Sequence, residues 1–413
     1  MLAQIKRILK WLSPGMRIKR WILMTGLGLF FVGYGSARLI RDELFFLQVA
    51  DFIIVIGGIG LVVAGIKKMM KSFITILLPA GDKELVDIIY RKRQLEKGPS
   101  IVVIGGGTGL SVLLHGLKSF TSKITAIVTV ADDGGSSGRL REQFDVLPPG
   151  DIRNCLVALA DAEPLMQNLF QFRFNDESEF KGHNFGNIFI TAMTKLTDGD
   201  FEKAIEESSK VLAIRGRVVP ATLDKVALEA NFADGSKTVG EANIPQKGGR
   251  IKTVSLRPAQ ARAANTALEA IAQAELIILG PGSLYTSVIP NLLIKEISES
   301  IVNSKAFKIY ICNVMTQHGE TDGYSAFDHL QALIKHTDKR IVDCCLVNNA
   351  KIPQEFLEKY RQEQSFPVES DSQRIRDAGF IVLESDFVNF TNFVRHDSKK
   401  LAKAIINIIA NYV

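Results

Sequence analysis

SIVVIGGGTGLSVLLHGLKSFTSKITAIVTVADDGGSSGRLREQFDVLPPGDIRN, residues Ser100 to Asn154, reads as strand, glycine loop, helix, strand, acidic glycine loop and a new helix start. Ile101 to Ile104 is a short apolar run ending in glycine, the pattern of a parallel strand buried on both faces. Gly105-Gly106-Gly107-Thr108-Gly109 follows, and Leu110 to Leu117 has helical spacing. Glycine lets a chain turn sharply and approach a ligand closely, and a helix N-terminus offers N–H groups to a phosphate. Ile124 to Val130 is a second strand, emptying into Ala131-Asp132-Asp133-Gly134-Gly135-Ser136-Ser137-Gly138-Arg139. In an open parallel sheet ligands bind beyond the carboxyl ends of the strands, where both loops lie. The generic dinucleotide fingerprint is incomplete, because Leu110 stands where its third glycine belongs and no Walker lysine is present. A phosphate site and a tight turn are the alternatives, and two carboxylates and Arg139 converging beside the first loop favour the site.

Further along, Pro148-Pro149-Gly150 turns the chain and Asp151 is the expected N-cap of a helix through Ala160, with Arg153 and Asn154 in its first turn. Leu165 to Phe174 reads as a helix whose phenylalanines pack. Gly182-His183-Asn184-Phe185-Gly186-Asn187 is a polar, glycine-spaced start to the apolar helix Ile188 to Leu196, which suits an anion or a sugar. Taken alone, His183 is more often a capping or core residue than a ligand. Asp200 to Leu212 reads as an exposed helix. Ala213 to Leu256 changes to short β-type runs, with a hairpin signal at Ala233-Asp234-Gly235-Ser236, and is expected to form an antiparallel insertion.

Ala259 to Ala274 is the next expected helix, and Leu276 to Leu279 is a buried strand running into Gly280-Pro281-Gly282-Ser283-Leu284-Tyr285-Thr286-Ser287, a third glycine loop. Ser283 is not set in a nucleophile elbow, since that motif needs a glycine where Tyr285 stands. A phosphate contact through its backbone N–H and hydroxyl is the better reading. Lys308 to Cys312, Asp343 to Val347 and Gly379 to Leu383 are further strands, and Pro353 to Arg361 and Ser398 to Asn411 are late helices. The fold class expected is α/β, a doubly wound, mostly parallel, Rossmann-like sheet with a small antiparallel insertion.

The net charge of +6 is unevenly spread. Residues 1–71 hold eleven Lys/Arg and three Asp/Glu, and the remainder holds 39 basic against 41 acidic residues. The main domain therefore offers no electrostatic case for nucleic acid. Trp21 to Ala37 and Leu44 to Ile66 are two apolar spans, and a bilayer core of roughly 30 Å takes about 20 such residues per helix. Basic residues precede the first span, and Lys67, Lys68 and Lys71 follow the second. The reading is a transmembrane hairpin over residues 1–72 with both ends cytoplasmic, a short outward loop at Arg41-Asp42-Glu43, and Asp51 near the outer interface. Gly33 with Ala37 and Gly60 with Ala64 are candidate close-packing pairs. Residues 73–98 form a linker, broken at Pro79-Ala80-Gly81 and charged and helical over Asp82 to Lys97, and 99–413 the main domain. Cys155, Cys312, Cys344 and Cys345 lack metal spacing and read as buried free thiols.

The motifs GGGTGL, VTVADDGGSSGRLR, PPGDIRN, GHNFGN (Gly182 to Asn187), GPGSLYTSVIPNLL (Gly280 to Leu293), CNVMTQ (Cys312 to Gln317) and VRHDSKK (Val394 to Lys400) occur in that order. Together they resemble the YvcK family, bacterial gluconeogenesis factors within the CofD-like superfamily. The resemblance covers about Ser100 to Val413 and leaves out the first 98 or so residues, which typical members lack. It implies a UDP-sugar ligand, notably UDP-N-acetylglucosamine, and a regulatory role linking carbon metabolism to envelope synthesis and cell shape.

By the resemblance, ligand contacts fall on Gly105, Gly106, Gly107, Thr108, Gly109, Asp132, Asp133, Ser136, Ser137, Arg139, Asp151, Arg153, Asn154, His183, Asn184, Asn187, Gly282, Ser283, Tyr360 and Arg395. Tyr360 and Arg395 match positions that contact the UDP-sugar in the family. No catalytic residue and no required cofactor are implied. Asp132 and Asp133 are candidates to hold Mg²⁺ in the alternative reading, a CofD-like transferase of a phospho-acyl group from a nucleotide-activated donor. A membrane scaffold with a vestigial site is a third reading. The expected partners are the UDP-sugar, the membrane, envelope-synthesis proteins and further copies of the chain.

Overall fold

The computed structural model describes residues 19–41, 44–77, 90, 92–162, 164–175, 177–390 and 394–412. The basic segment before residue 19, Asp42 and Glu43 of the loop, and half of the linker lie outside the described residues. The chain divides into two compact units, Met1–Arg93 and Gln94–Val413.

The first unit is a pair of helices, Lys19–Arg41 and Phe45–Leu77, both long and apolar enough to cross a membrane. They meet along glycines seven residues apart. A Cβ on Gly28 would come within 2.7 Å of the Gly58 carbonyl oxygen, and one on Gly35 within 3.1 Å of the Asp51 carbonyl oxygen. Gly65 packs in the same way on Thr25 and Trp21. The expected pairs are not the ones used, since Gly33 and Gly60 have nothing within 4 Å. The reason is angular: at about 100° per residue, Gly33 is turned roughly 140° from Gly28. Asp51, 1% exposed, is paired with Arg38 at 3.4 Å. Arg20 and Lys68 both lie over the Trp21 ring, at 4.7 and 4.5 Å.

The second unit is built on a seven-stranded sheet. Its strands are β1 (Ile101–Gly105), β2 (Ile124–Val128), β3 (Arg217–Pro220), β7 (Leu276–Leu279), β8 (Phe307–Ile311), β9 (Cys344–Asn348) and β10 (Ile381–Ser385). Their order is β10-β9-β8-β7-β1-β2-β3, and every pairing is parallel. The apolar runs are fully buried in β1 and β7, as helices covering both faces require. Sequence order reverses between β1 and β7, the topological switch point where doubly wound sheets bind ligands. The register levels the strand ends there: Gly105 pairs with Val128, and Ile104 with Leu279. The three glycine loops therefore start from one edge.

The antiparallel insertion is smaller than the sequence suggests. Arg217–Pro220 pairs in parallel with β2 and closes the main sheet, because Val218 and Val219 bury against it. Only β4 (Ala227–Phe232), β5 (Lys237–Val239) and β6 (Ile251–Arg257) form the separate sheet, with the hairpin at 233–236 as expected. β11 (Val388–Phe390) and β12 (Val394–His396) form a two-stranded ribbon. The helix Phe201–Leu212 is amphipathic rather than wholly exposed, burying Phe201, Ala204, Ile205 and Leu212. The helix after the insertion is shorter than expected, Asn265–Ala272.

Candidate functional site

Gly106 precedes the helix Gly107–Leu117, and Gly107 is left-handed at φ 67°. A Cβ on Gly106 would strike the Asp151 carboxylate and Thr129, and one on Gly109 would sit 2.8 Å from the Pro281 carbonyl oxygen. The first loop is thus clamped between the Asp151 helix on one side and the third glycine loop on the other. Side chains larger than hydrogen are excluded by contact.

On the Pro281 side lies a cavity of about 330 Å³. Gly107, Thr108, Gly109, Gly282, Ser283, Tyr360 and Arg395 all line it, so the structure gathers these seven expected residues from four separate segments. Asn313, Thr316 and Gln317 complete the wall. The Gly282 N–H donates to Asn313 Oδ1 at 3.4 Å. After Ser283 the chain makes a π-helical turn, Leu284–Val288, a distortion that concentrates at functional sites. The Tyr360 hydroxyl is already engaged: it accepts from the Val394 N–H at 3.0 Å and donates to the Val394 carbonyl at 3.4 Å. Its tip anchors β12, and its ring is what remains to face the cavity. His396 beside Arg395 bonds the Cys312 backbone, and burial lowers its pKa to about 4.

On the other side of the glycine loop is a cluster of carboxyl groups. Asp151 lies in the first turn of the helix Gly150–Leu159 rather than at its cap, which is Pro149. Its carboxylate accepts from the Gly107 N–H and the Asn154 side chain. Burial, then the charge of Asp132, pushes its pKa up to about 6. Asp132 accepts from the Gly134 N–H at 2.9 Å and is likewise raised by burial. Asp133 is spent differently, with both oxygens taken by the N–H groups of Glu241 and Ala242. Glu241 is thereby brought to the cluster, and burial with the charges of Asp132, Glu320, Asp151 and Asp133 raises it to about 8. Buried Glu320 is raised to about 7. Among the described residues no three His, Cys, Asp or Glu side chains are set as a ready metal-ligand group.

Ser136 and Ser137, buried in the first turn of the helix Gly135–Phe144, join this cluster to the Gly182–Asn187 segment. Ser136 Oγ lies 3.2 Å from His183 Nδ1 and accepts from the Asn184 N–H. Asn184 caps the helix Phe185–Leu196 through the Asn187 N–H, and Asn187 reaches Ser137 Oγ at 3.5 Å. Burial, then Arg139 and Arg173, holds His183 below its ordinary pKa. The buried Oδ1 of Asn187 and Nε of Arg153 have no partner among the described residues. Arg139 turns outward instead, donating to the Lys181 carbonyl at 2.9 Å. Glu241 and Glu320 were not singled out from the sequence. Neither sits in a glycine motif, and Glu241 reaches the site from 108 residues beyond Asp133.

The arrangement has two chemistries side by side. Glycine-loop N–H groups with Arg395 suit a diphosphate. Carboxyl groups titrating near neutrality suit hydroxyl groups, which both donate and accept.

Comparison with known proteins gives consistent relatives. A family profile described as 2-phospho-L-lactate transferase CofD matches residues 101–388. The gluconeogenesis factor of Bacillus subtilis is 49% identical over 312 residues, 75% of this chain and 98% of its own length. A gluconeogenesis-factor relative from Nostoc sp. is 45% identical and covers 98% of this chain and 93% of its own. The N-terminal residues are therefore shared by some relatives, although the Bacillus protein lacks them. A crystallised UPF0052-family protein of Bacillus halodurans superposes with a TM-score of 0.73 at 49% identity, over 75% of this chain and 99% of that one.

Proposed function

We propose, since this chain belongs to the CofD family and within it to the gluconeogenesis factors, that it is a membrane-anchored regulator that binds UDP-N-acetylglucosamine. The observation that carries the reading is the cavity of about 330 Å³ into which the glycine loops, Tyr360 and Arg395 converge. The diphosphate takes the N–H groups at Thr108, Gly109 and Ser283 together with the Arg395 fork. The uracil stacks on the Tyr360 ring, and the sugar hydroxyls meet the carboxyl cluster across the glycine loop. The two N-terminal helices anchor the chain, with the ligand-binding unit in the cytoplasm, as the basic residues at both ends favour. A sensor of this kind ties carbon metabolism to envelope synthesis and cell shape through envelope-synthesis partners, with the chain as a homo-oligomer.

Calorimetric titration of the full chain in detergent with UDP-N-acetylglucosamine tests the site. Saturable binding that is weakened by Arg395→Ala, and only partly restored by Arg395→Lys, is expected. Wild-type affinity in Arg395→Ala removes the cavity from the reading. Reporter fusions after residues 42 and 413 test the anchor, and a periplasmic C-terminus would refute it.

A second reading is favoured by one observation: carboxyls raised toward neutrality cluster beside the first glycine loop of a chain that matches a transferase profile. It predicts turnover of a nucleotide-activated phospho-acyl donor, abolished by Asp132→Asn with folding retained.

A further inference from the structure

A second cavity, of about 800 Å³, shares no lining residue with the first. It lies where the start of β6 faces the helix Ala326–His336. Tyr285 and Tyr324 are joined hydroxyl to hydroxyl at 2.9 Å, and Lys335 is tied to the Lys252 carbonyl at 2.7 Å. The size is that of a small-molecule site.

Two features of this cavity bear on what could occupy it. Glu320 is 3% exposed; its carboxylate accepts from Thr286 Oγ1 at 3.1 Å and from the Tyr285 and Thr286 N–H groups, while its Oε2 is enclosed and has no partner among the described residues. Buried polar atoms are nearly always paired, so an enclosed carboxyl oxygen beside a cavity calls for a partner from outside the chain. Arg250 and Lys252 line the same cavity, are exposed and have no ion-pair partner among the described residues. They lie at the entry to β6, beside the irregular pairing of Ile251 with Phe232, and both line the cavity.

We propose that this cavity is a second ligand site, for a small hydroxylated phosphate ester whose phosphate lies at Arg250 and Lys252 and whose hydroxyl meets Glu320. A dianionic phosphate matches two neighbouring cations, and the guanidinium fork grips it with two parallel bonds. A hydroxyl both donates and accepts, so it pairs with the Glu320 carboxyl whether or not that group carries its proton. An apolar ligand would strand charge at both ends. The proposal assigns Glu320 to this cavity and leaves Asp132, Asp151 and Glu241 to the sugar hydroxyls of the UDP-sugar reading, in which Arg250 and Lys252 take no part.

The test is calorimetry on the full chain in detergent with glycerol 3-phosphate, glucose 6-phosphate and inorganic phosphate as probes. Saturable binding of at least one ester at about 1 mM or tighter is expected, with inorganic phosphate weaker. The Arg250→Ala/Lys252→Ala double variant, altered only at exposed positions, weakens the ester about tenfold or more. Glu320→Gln narrows the gap between ester and inorganic phosphate, and Arg395→Ala leaves ester binding unchanged. No saturation with any probe, or full affinity in the double variant, overturns the proposal. So does loss of binding in Arg395→Ala alone, which would put the anion at the glycine loops.

Discussion

Asp133 accepts the backbone N–H of Glu241 at 3.1 Å and thereby holds, beside its own loop, a carboxyl group from the far end of the chain's insertion. With the second bond from Ala242 at 2.9 Å, this contact fastens the antiparallel insertion to the switch-point edge of the sheet. Neighbouring aspartates in one loop thus have separate tasks. Asp132 holds its own loop through the Gly134 N–H, and Asp133 holds the insertion.

The two tasks separate by mutation. Asp133→Ala loses two hydrogen bonds to a charged group, each typically about 1.5–3 kcal/mol, and lowers the unfolding temperature of the Gln94–Val413 unit. Asp132→Ala weakens UDP-sugar binding roughly tenfold to a hundredfold while the unit stays folded. Thermal unfolding and titration of both variants check this, and an unchanged melting temperature in Asp133→Ala would contradict the structural assignment.

Stability falls as pH rises from 6.5 to 8. Glu241 is raised to about 8 and Glu320 to about 7 from an ordinary 4.5, each mainly by burial. Such groups bind their protons more tightly folded than unfolded. Their contribution is full below the unfolded pKa and is lost as pH climbs through the folded one. His396, held near 4 against an ordinary 6.5, acts in the opposite sense: its contribution is lost as pH falls below 6.5. Above that value the carboxyls dominate. Melting curves at half-unit steps measure the slope, and Glu241→Gln flattens it. A slope that Glu241→Gln leaves intact would assign it to other groups.

Tyr360→Phe loosens the β11–β12 ribbon. The variant keeps the ring but removes the hydroxyl that holds both polar groups of Val394. With each bond worth about 0.5–1.5 kcal/mol, UDP-sugar affinity drops severalfold through displacement of Arg395. Faster amide exchange at Val394 in Tyr360→Phe is the signature of this route. Unaltered exchange together with weaker binding would mean that the hydroxyl touches the ligand itself.

In the N-terminal unit, Gly28→Leu and Gly58→Leu force the helices apart, because a Cβ at either position already meets backbone atoms at 2.7 to 2.8 Å. Gly33→Leu and Gly60→Leu enter open space and leave the pair intact. Crosslinking between cysteines placed on the two helices distinguishes them. Equal crosslinking in all four variants would rule out this interface.

What the sequence determined by itself is whatever short-range pattern encodes. Ile101–Ile104 and Leu276–Leu279 are continuous apolar runs ending in glycine, and they are buried strands followed by sharp loops because full burial and a tight turn both leave local marks. The two long apolar N-terminal helices were legible from length alone. Tertiary structure decided the rest. Arg217–Pro220 is too short to declare whether it pairs with β2 or with the insertion, and its partner was chosen by the burial of Val218 and Val219. The seven-residue stripe of Gly28 and Gly35, not the four-residue spacing of Gly33 and Ala37, faces the second helix, because crossing geometry selects the face. Glu241 and Glu320 carry no motif. Glu241 reaches the carboxyl cluster because the insertion folds back and Asp133 captures its turn, a contact between residues 108 apart that no local pattern records, and Glu320 is placed by its bond to Thr286 of the third glycine loop.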